Sequence, residues 1–172
     1  MDDVVMRAML KWPDVPDVYG WLLLDRRGSW RIRDPLSAVF TPIGNRSLVE
    51  FIARNYSTDD RGCWYFQNGP QRVFVSLAYA PFAFRLADGA LLDQCGGPAQ
   101  RPEGAWLDEE GSLLLCASGR VGLLDDRDLG RVAEDLARGV FRAGKANVPL
   151  GAIRSGDVPG RFKFVRDPKP AG

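Results

Sequence analysis

Short apolar runs separated by glycine and proline are the feature that most restricts how this chain can fold. Its 172 residues contain 19 Gly and 12 Pro, spread between the apolar runs rather than gathered in one low-complexity segment. Such punctuation is typical of short strands joined by turns, and it excludes an all-helical fold. We therefore predict about ten or eleven strands, paired mostly antiparallel in hairpins.

Three hairpins are predicted in the first half of the chain, because runs rich in apolar residues flank turn signals there. They pair residues 19–25 with 29–33, residues 63–67 with 72–77, and residues 82–86 with 90–94. In the second hairpin, Pro70 restricts Gly69 to an extended conformation, so a loop longer than a two-residue turn is expected.

Two main helices complete the predicted α+β fold. Residues 46–55 and about 127–141 carry apolar side chains at helical spacing, which predicts one buried stripe on each helix. Either Asn45 or the pair Ser47 and Glu50 is expected to cap the first helix.

The chain is predicted to divide into two halves. Cysteine, glycine and proline at residues 95–104 indicate a linker between an N-terminal half, 1–94, and a C-terminal half, 105–166. Residues 167–172 are predicted to be a tail.

The two halves are interpreted as pseudo-repeated β-β-α-β-β units, because hairpin, helix and hairpin recur in that order. In this interpretation residues 152–164 are the second-half counterpart of the hairpin at residues 65–75.

Charge provides no general attraction to nucleic acid or to an anionic membrane, because 23 Lys and Arg face 22 Asp and Glu, a net charge of +1. Residues 103–135 hold nine acidic side chains and three Arg, net −6, and residues 138–172 hold eight Lys or Arg and two Asp, net +6. We expect the two segments to neutralise each other, and the alternative is a basic C-terminal face for an acidic partner.

The absence of His removes the commonest general base and the commonest ligand of transition metals. The chain also lacks a phosphate-binding loop and a GxGxxG motif after a strand, so no metal and no cofactor is predicted. Cys63, Cys95 and Cys116 form no CxxC pair, which indicates free thiols in a reducing compartment. With no secretory signal and no apolar run near the ~20 residues of a membrane span, the chain is predicted to be cytoplasmic and to have no membrane partner.

Aromatic and polar side chains are dense around the second hairpin. Trp64, Tyr65 and Phe66 are consecutive, and because side chains alternate along a strand they must present aromatic surface on both faces of a sheet. Aromatic rings beside Arg and amide groups are typical of binding surfaces, although core packing is the simpler interpretation. The candidate ligand-binding residues are Trp21, Trp30, Trp64, Asn68, Gln71 and Arg72.

These observations predict a non-catalytic binding or regulatory module that recognises a protein or a small ligand through the loop at residues 67–72. One alternative is an enzyme that uses carboxylates or a thiolate in an interdomain cleft, with a strongly shifted pKa. Another is binding of single-stranded nucleic acid, which requires Lys and Arg on the sheet face that carries Trp64 or Phe66. The net charge of +1 makes nucleic acid the less favoured partner.

Three segments of the first half are distinctive: residues 19–31 (YGWLLLDRRGSWR), residues 48–56, and residues 62–75 (GCWYFQNGPQRVFV). Together they resemble an uncharacterised family of short proteobacterial proteins of unknown function. The order of hairpin, helix and hairpin followed by Ala80-Pro81-Phe82 is more distantly similar to a second bacterial family of unknown function. That resemblance implies a two-part α+β fold and a signalling or regulatory role, and neither family brings a catalytic residue with it.

Overall fold

The computed structural model describes residues 1–99, 102–144 and 146–170. These residues form an α+β fold with mostly antiparallel strands, as predicted. Their helices are α1 (Asp3–Lys11), α2 (Arg46–Arg54), α3 (Leu129–Ala137) and α4 (Val158–Phe162), with a 3-10 turn at Asp126–Asp128. Their strands are β1 (Val18–Leu24), β2 (Trp30–Arg33), β3 (Phe40–Pro42), β4 (Tyr56–Thr58), β5 (Trp64–Asn68), β6 (Gln71–Leu77), β7 (Phe82–Ala87), β8 (Ala90–Asp93), β9 (Pro98–Ala99), β10 (Pro102–Leu107), β11 (Leu113–Ala117), β12 (Arg120–Leu124), β13 (Val140–Ala143) and β14 (Ala146–Ala152).

The described residues contain fourteen strands, more than the ten or eleven predicted. The additional strands include β3, β4 and β9, which have two or three residues each. Strands this short carry too few residues for an alternating pattern to be visible in the sequence.

The chain forms two compact units that divide near residues 78 and 163. Unit 1 contains described residues of 1–25, 29–78 and 163–170, and unit 2 contains those of 26–28 and 79–162. The sequence prediction placed the division at residues 95–104 instead. Residues 95–99 of that segment lie in a turn and in β9 of unit 2, and Gln100 and Arg101 lie outside the described residues.

Unit 1 is built on a six-stranded sheet with the order β3-β2-β1-β6-β5-β4. Its neighbours are antiparallel except for β1 and β6, which run parallel. Helix α2 packs on one face, where the rings of Phe51 and Phe66 meet edge to face at 5.4 Å. Asn45, one of the two predicted caps, begins this helix by accepting a hydrogen bond from the backbone N–H of Leu48 at 3.0 Å.

Unit 2 is built on an eight-stranded sheet with the order β13-β14-β10-β11-β12-β7-β8-β9. Two of its neighbouring pairs are parallel, β10 with β14 and β12 with β7. Its core is aliphatic and aromatic: Leu113, Leu114, Leu115, Phe84 and Phe141 are all fully buried. Strand β11 reads as a continuous apolar run because both of its faces are covered.

The predicted repeat is present in the topology, with one strand more than expected in each copy. In unit 1 the order β3-β2-β1-β6-β5 matches β12-β11-β10-β14-β13 in unit 2. In both copies the first strand of a three-stranded meander runs parallel to the last strand of the hairpin that follows the helix. A hydrogen bond at the end of these parallel strands is also repeated. In unit 1 the Ala78 N–H donates to the Leu24 carbonyl, and in unit 2 the Ile153 N–H donates to the Leu107 carbonyl.

The counterpart of the β5–β6 hairpin is β13–β14, and the prediction that residues 152–164 fill this role is wrong. Helix α3 ends at Ala137 because Gly139, with φ +73°, reverses the chain in the left-handed region. The predicted helix at about 127–141 therefore included β13, and Pro159 lies inside α4 rather than in a turn.

One turn recurs four times along the chain. In each copy the backbone N–H of an Asp donates to the carbonyl of the residue four positions later, and a Gly between them has φ between +77° and +80°. The Asp carboxylate accepts that same residue's N–H at 2.7 to 2.9 Å. The four turns are 25–29, 59–63, 93–97 and 108–112. The carboxylate satisfies a loop N–H that would otherwise lack a partner within the hairpin.

The two oppositely charged segments neutralise each other only in part. Arg138 and Arg142 reach Asp135 at 4.0 and 3.4 Å. Other acidic side chains of residues 103–135 pair elsewhere within unit 2: Asp126 with Arg27 at 2.8 Å, and Asp128 with Arg85 at 2.8 Å.

Within the described ranges, no helix combines the length and the apolar character needed to cross a membrane.

The repeated turn allows a matched comparison of two alanine substitutions. Gly111 faces open space, so Gly111→Ala should cost only its left-handed strain, about 1–2 kcal/mol of unfolding free energy. Gly62→Ala should cost distinctly more, because its Cβ would lie 2.3 Å from the Lys163 carbonyl oxygen and would displace residues 163–165. Urea unfolding measures both, and equal losses would contradict this account of the segment at 163–165.

The buried carboxylate of Asp125 should make stability depend on acid pH. Arg127, which donates two side-chain hydrogen bonds to it, lowers the pKa of Asp125 to about 2. An unfolded Asp has a pKa near 3.9, so this stabilisation is complete above about pH 4 and disappears as the pH falls towards 2. Between these limits the unfolding free energy of Asp125→Asn should fall less steeply with decreasing pH than that of the unsubstituted protein. The difference in slope should correspond to the uptake of roughly one proton. Glu134→Gln, at a side chain 89% exposed, should keep the slope of the unsubstituted protein; an unchanged slope in Asp125→Asn would refute the assignment.

Candidate functional site

The predicted binding loop is a tight hairpin turn. Asn68 pairs with Gln71, so the turn has two residues, Gly69 and Pro70, and the expectation of a longer loop is wrong. Gly69 has φ +57° and occupies the first turn position, which needs a positive φ, while Pro70 supplies the negative φ of the second.

The hairpin end is anchored on one side and open on the other. The Gln71 amide donates to the Pro16 carbonyl at 3.1 Å, whereas Asn68 is exposed. Gln67 is fully buried, and its amide nitrogen donates to the Gly69 carbonyl at 2.9 Å. These contacts fix the end of the hairpin and leave Asn68 accessible.

The structure distributes the six candidate residues over both faces of the unit 1 sheet. Tyr65 pairs with Phe74 on one face, so the alternation along β5 places Trp64 on the opposite face with Phe66, as predicted. Trp64 lies there beside Tyr56, with ring centroids 4.8 Å apart.

The two remaining tryptophans differ in exposure. Trp30 is 2% exposed and packs against Tyr56 at 5.0 Å, so it belongs to the core and offers no surface to a ligand. Trp21 is 44% exposed, and the alternation along β1 places it on the Phe74 face.

On that face, five side chains form one continuous stack, which we call the arginine-aromatic stack: Arg72, Tyr65, Phe74, Tyr19 and Arg61. Arg72 lies over Tyr65 at 4.9 Å, and Tyr65 lies 5.7 Å from Phe74. Tyr19 is parallel to Phe74 at 4.6 Å, and Arg61 approaches Phe74 at 5.7 Å. The rings of Tyr65 and Phe74 are buried, so the guanidinium groups and Tyr19 form the accessible parts of the stack.

The C-terminal segment completes this face of unit 1. Val165 packs against the cluster of Cys63, Tyr65 and Phe74, and the Leu77 N–H donates to the Arg166 carbonyl at 2.7 Å. Ser76 donates to Asp167 at 3.2 Å. The predicted tail at 167–172 thus begins with a residue bound to β6, and residues 171–172 lie outside the described residues.

An open pocket of about 430 Å³ adjoins the stack and is lined by Asp17, Tyr19, Arg61 and Pro170. Arg61 also donates to the Asp59 carboxylate at 3.0 Å, and hydrogen bonds to Tyr19 and Asp59 raise its pKa. This guanidinium is therefore held in one orientation at the pocket wall, with a permanent positive charge.

Tyr19 and Arg61 are not among the six candidate residues predicted from the sequence. They precede Arg72 by 53 and 11 residues, and they reach the stack because β1 joins the sheet parallel to β6 while the 59–63 turn precedes β5. The sequence signal was limited to a Tyr-Gly pair at the start of an apolar run and an Arg inside a D-x-x-G pattern, and neither indicates that the two residues meet.

The three thiols lack the features of a nucleophile. All three are free, and burial raises the pKa of each, for Cys95 to about 12. Asp93 and Glu103 raise the pKa values of Cys95 and Cys116 further. Reactive cysteines need the opposite shift, towards the thiolate at neutral pH.

The carboxyl groups that have a shifted pKa lack the raised value of a general acid. In each of them hydrogen-bond donors outweigh burial and lower the pKa, as the Ser155 hydroxyl does for Glu109. The other lowered groups are Asp34, Asp59, Asp125, Asp126, Asp128 and Asp167. Within residues 1–99, 102–144 and 146–170, no three Cys, Asp or Glu side chains are grouped so that they could hold a metal ion.

The family described as "Protein of unknown function (DUF2946)" matches residues 1–169, and the chain belongs to this family. The predicted resemblance to a family of unknown function is thereby confirmed, and it extends over the second half as well. No match was found among curated proteins.

Two solved structures are similar to this chain, and the first of them shows a related fold. A DUF1285 family protein from Silicibacter pomeroyi DSS-3 superposes with a TM-score of 0.50, over 80% of this chain and 82% of that chain, at 14% identity. A DUF1285 family protein from Shewanella baltica OS155 superposes with a TM-score of 0.45, over 66% of this chain and 91% of that chain, at 13% identity. At such identities the likeness concerns the fold alone.

The thiol environments predict slow alkylation. With iodoacetamide at pH 7.5, all three cysteines should react at least about tenfold more slowly than glutathione, because little thiolate is present. Cys63, 3% exposed, should be the slowest. The rates at Cys95 and Cys116 should still rise above pH 9, and the urea-unfolded chain should react like glutathione. Fast reaction of one folded-state thiol at neutral pH would restore the thiolate enzyme as a candidate.

Proposed function

We propose that this protein is a non-catalytic binding module that recognises an acidic segment of a partner protein at the arginine-aromatic stack of unit 1. The observation that carries the proposal is the stack itself, in which Arg61 and Arg72 are oriented by buried aromatic rings beside an open pocket.

The composition of the accessible surface supports a protein partner. Arg, Tyr and Trp are the residue types that dominate binding hot spots, and here Arg61, Arg72, Tyr19 and Trp21 share one face. A guanidinium that packs on an aromatic ring has lost part of its conformational freedom before binding, which lowers the cost of pairing it with a carboxylate.

The hairpin end provides a polar group at the end of the sheet, on the side to which the alternation along β5 assigns Trp64 and Phe66. Asn68 is exposed and lies one residue beyond the buried Gln67, so its amide can donate to and accept from a bound backbone. Its position is fixed by the Gln71 bond to Pro16, and a fixed loop loses little entropy on binding.

A non-catalytic role agrees with the side-chain environments. The thiols have raised pKa values and the resolved carboxyl shifts are downward, whereas acid, base and nucleophile chemistry needs groups poised near neutral pH. The free thiols also support the cytoplasmic location that we propose.

Stacking of nucleic-acid bases has less support. It requires accessible ring faces, whereas Tyr65 is 7% and Phe74 1% exposed. Arg61 and Arg72 also lie on the face opposite Trp64 and Phe66, which is not the arrangement that this alternative needs.

Loss of binding in the variants should come from loss of contacts at the stack or at the two exposed residues Asn68 and Trp21, and not from loss of stability. We expect Arg72→Ala, Asn68→Ala and Trp21→Ala to change the melting temperature by only a few degrees and to abolish retention of the partner. The measurement is native mass spectrometry on protein that has been incubated under reducing conditions with lysate of its source organism.

Two matched variants control this experiment. Trp12→Ala removes another half-exposed tryptophan, 51% exposed, and Arg46→Ala removes an arginine 91% exposed on α2. Both should retain the partner like the unsubstituted protein. Equal retention by all five variants would disprove the site, and a small retained mass in place of a protein would disprove the protein partner.

A further inference from the structure

A second open pocket lies in unit 2, at the carboxyl ends of two parallel strands. Strands β10 and β14 end together, where the Ile153 N–H donates to the Leu107 carbonyl at 3.0 Å. From there β10 continues into the 108–112 turn and β14 into the loop before α4. Neighbouring parallel strands whose connections diverge leave a crevice at their carboxyl ends.

The crevice has a volume of about 650 Å³, which is within the range of small-molecule sites. Its apolar wall is formed by Leu107, Ala152 and Ile153. Its charged lining comprises Asp108, Glu109, Arg154, Asp157 and Arg161.

Two of the three carboxylates are already used within the protein. Asp108 accepts the Tyr79 hydroxyl at 2.7 Å and the N–H groups of Glu110 and Ser112 at 3.0 and 2.7 Å. Glu109 accepts both the N–H and the hydroxyl of Ser155. Their acceptor capacity is largely committed before any ligand arrives.

Three charged groups keep their hydrogen-bonding capacity. Among the described residues, the Arg154 guanidinium and the Asp157 carboxylate form no ion pair, and both are exposed. The charge of Arg154 helps to lower the pKa of Glu109, but no hydrogen bond joins the two side chains. Arg161 contacts the rings of Trp106 and Phe162, at 4.7 and 5.7 Å, and its N–H groups donate to no described carboxylate. The crevice thus presents two cationic donors and one anionic acceptor above an apolar wall.

The orientation of Arg161 is built into the sheet. The Trp106 indole lies flat over two glycines, because a Cβ would come within 2.0 Å of the ring at Gly104 and 2.7 Å at Gly151. Phe162 meets the same ring edge to face at 5.3 Å. The indole therefore supports the guanidinium from below, and only glycine at both positions permits it.

We propose that this crevice binds a small zwitterion of the α-amino acid type. Arg154 and Arg161 pair with its carboxylate, Asp157 pairs with its ammonium group, and an aliphatic side chain contacts Leu107, Ala152 and Ile153. A simple anion would leave Asp157 unpaired and the apolar wall exposed to water. A simple cation would leave both guanidinium groups unpaired. This site is in unit 2 and is independent of the proposed function of unit 1.

Three probes of equal side-chain shape test the proposal. L-leucine carries both charges, 4-methylpentanoate lacks the ammonium group, and 3-methylbutylamine lacks the carboxylate. Titration of the ¹⁵N-labelled full chain, followed by amide shifts of Leu107, Ile153 and Arg154, should show saturable binding of L-leucine. Each of the other two probes should bind at least about tenfold more weakly, because one charge-assisted contact is missing.

Substitutions assign the contacts to atoms. Arg154→Gln should weaken L-leucine binding about tenfold or more and leave 3-methylbutylamine binding unaffected, because that probe has no carboxylate. Asp157→Asn should weaken L-leucine binding to a similar extent and leave 4-methylpentanoate binding unaffected, because that probe has no ammonium group. The guanidinium that lies over the Trp106 ring is that of Arg161, so Arg154→Gln stays informative even if Arg161→Gln disturbs Trp106. Arg142→Gln, at an exposed arginine of β13 that pairs with Asp135, should bind like the unsubstituted protein.

Three results would overturn the proposal. They are the absence of shifts in the lining residues at 10 mM L-leucine, equal binding of all three probes, and L-leucine binding that survives both Arg154→Gln and Asp157→Asn.

Discussion

A carboxylate that accepts backbone N–H groups inside a three-residue loop is the interaction on which this fold depends most. Each of the four turns that begin with Asp25, Asp59, Asp93 and Asp108 must reverse the chain between paired strands while leaving no loop donor unsatisfied. A hydrogen bond of this kind contributes about 1 kcal/mol, but its larger effect is to fix register. A slip of one residue would turn every side chain of the following strand to the other face of its sheet.

Register determines where the chemistry of unit 1 lies. Because the 59–63 turn fixes β5, Tyr65 faces Phe74 on one side and Phe66 faces α2 on the other. Apolar surface on both faces requires a cover on both. Helix α2 covers one face, and the other is covered in part by Val165 of the C-terminal segment. The arginine-aromatic stack is the part of that second face where charged groups replace an aliphatic cover.

Local signals were sufficient to predict much of the fold. Asn45 marks the start of α2, Asp88-Gly89 turns β7 into β8, and the alternation along β5 places aromatic rings on both faces. The prediction was wrong where the same local sequence is compatible with two backbone conformations. Pro70 was expected to lengthen its loop, but after a glycine of positive φ it fits the second position of a tight turn.

Long-range pairing was not predictable in the same way. Nothing near Tyr19 indicates that β1 runs parallel to β6, so the stack that joins Tyr19 to Phe74 could not be inferred from either segment alone. The spacing of Asp and Gly was also insufficient to predict a hairpin turn. Asp157 and Gly160 repeat the D-x-x-G pattern, yet up to residue 170 no strand follows them, and the segment begins α4 instead. The same spacing of Asp and Gly therefore occurs both in hairpin turns that join two strands and at the start of a helix. Among the described residues, the Asp157 carboxylate accepts no hydrogen bond from its own loop, and we propose that it pairs with the ligand instead.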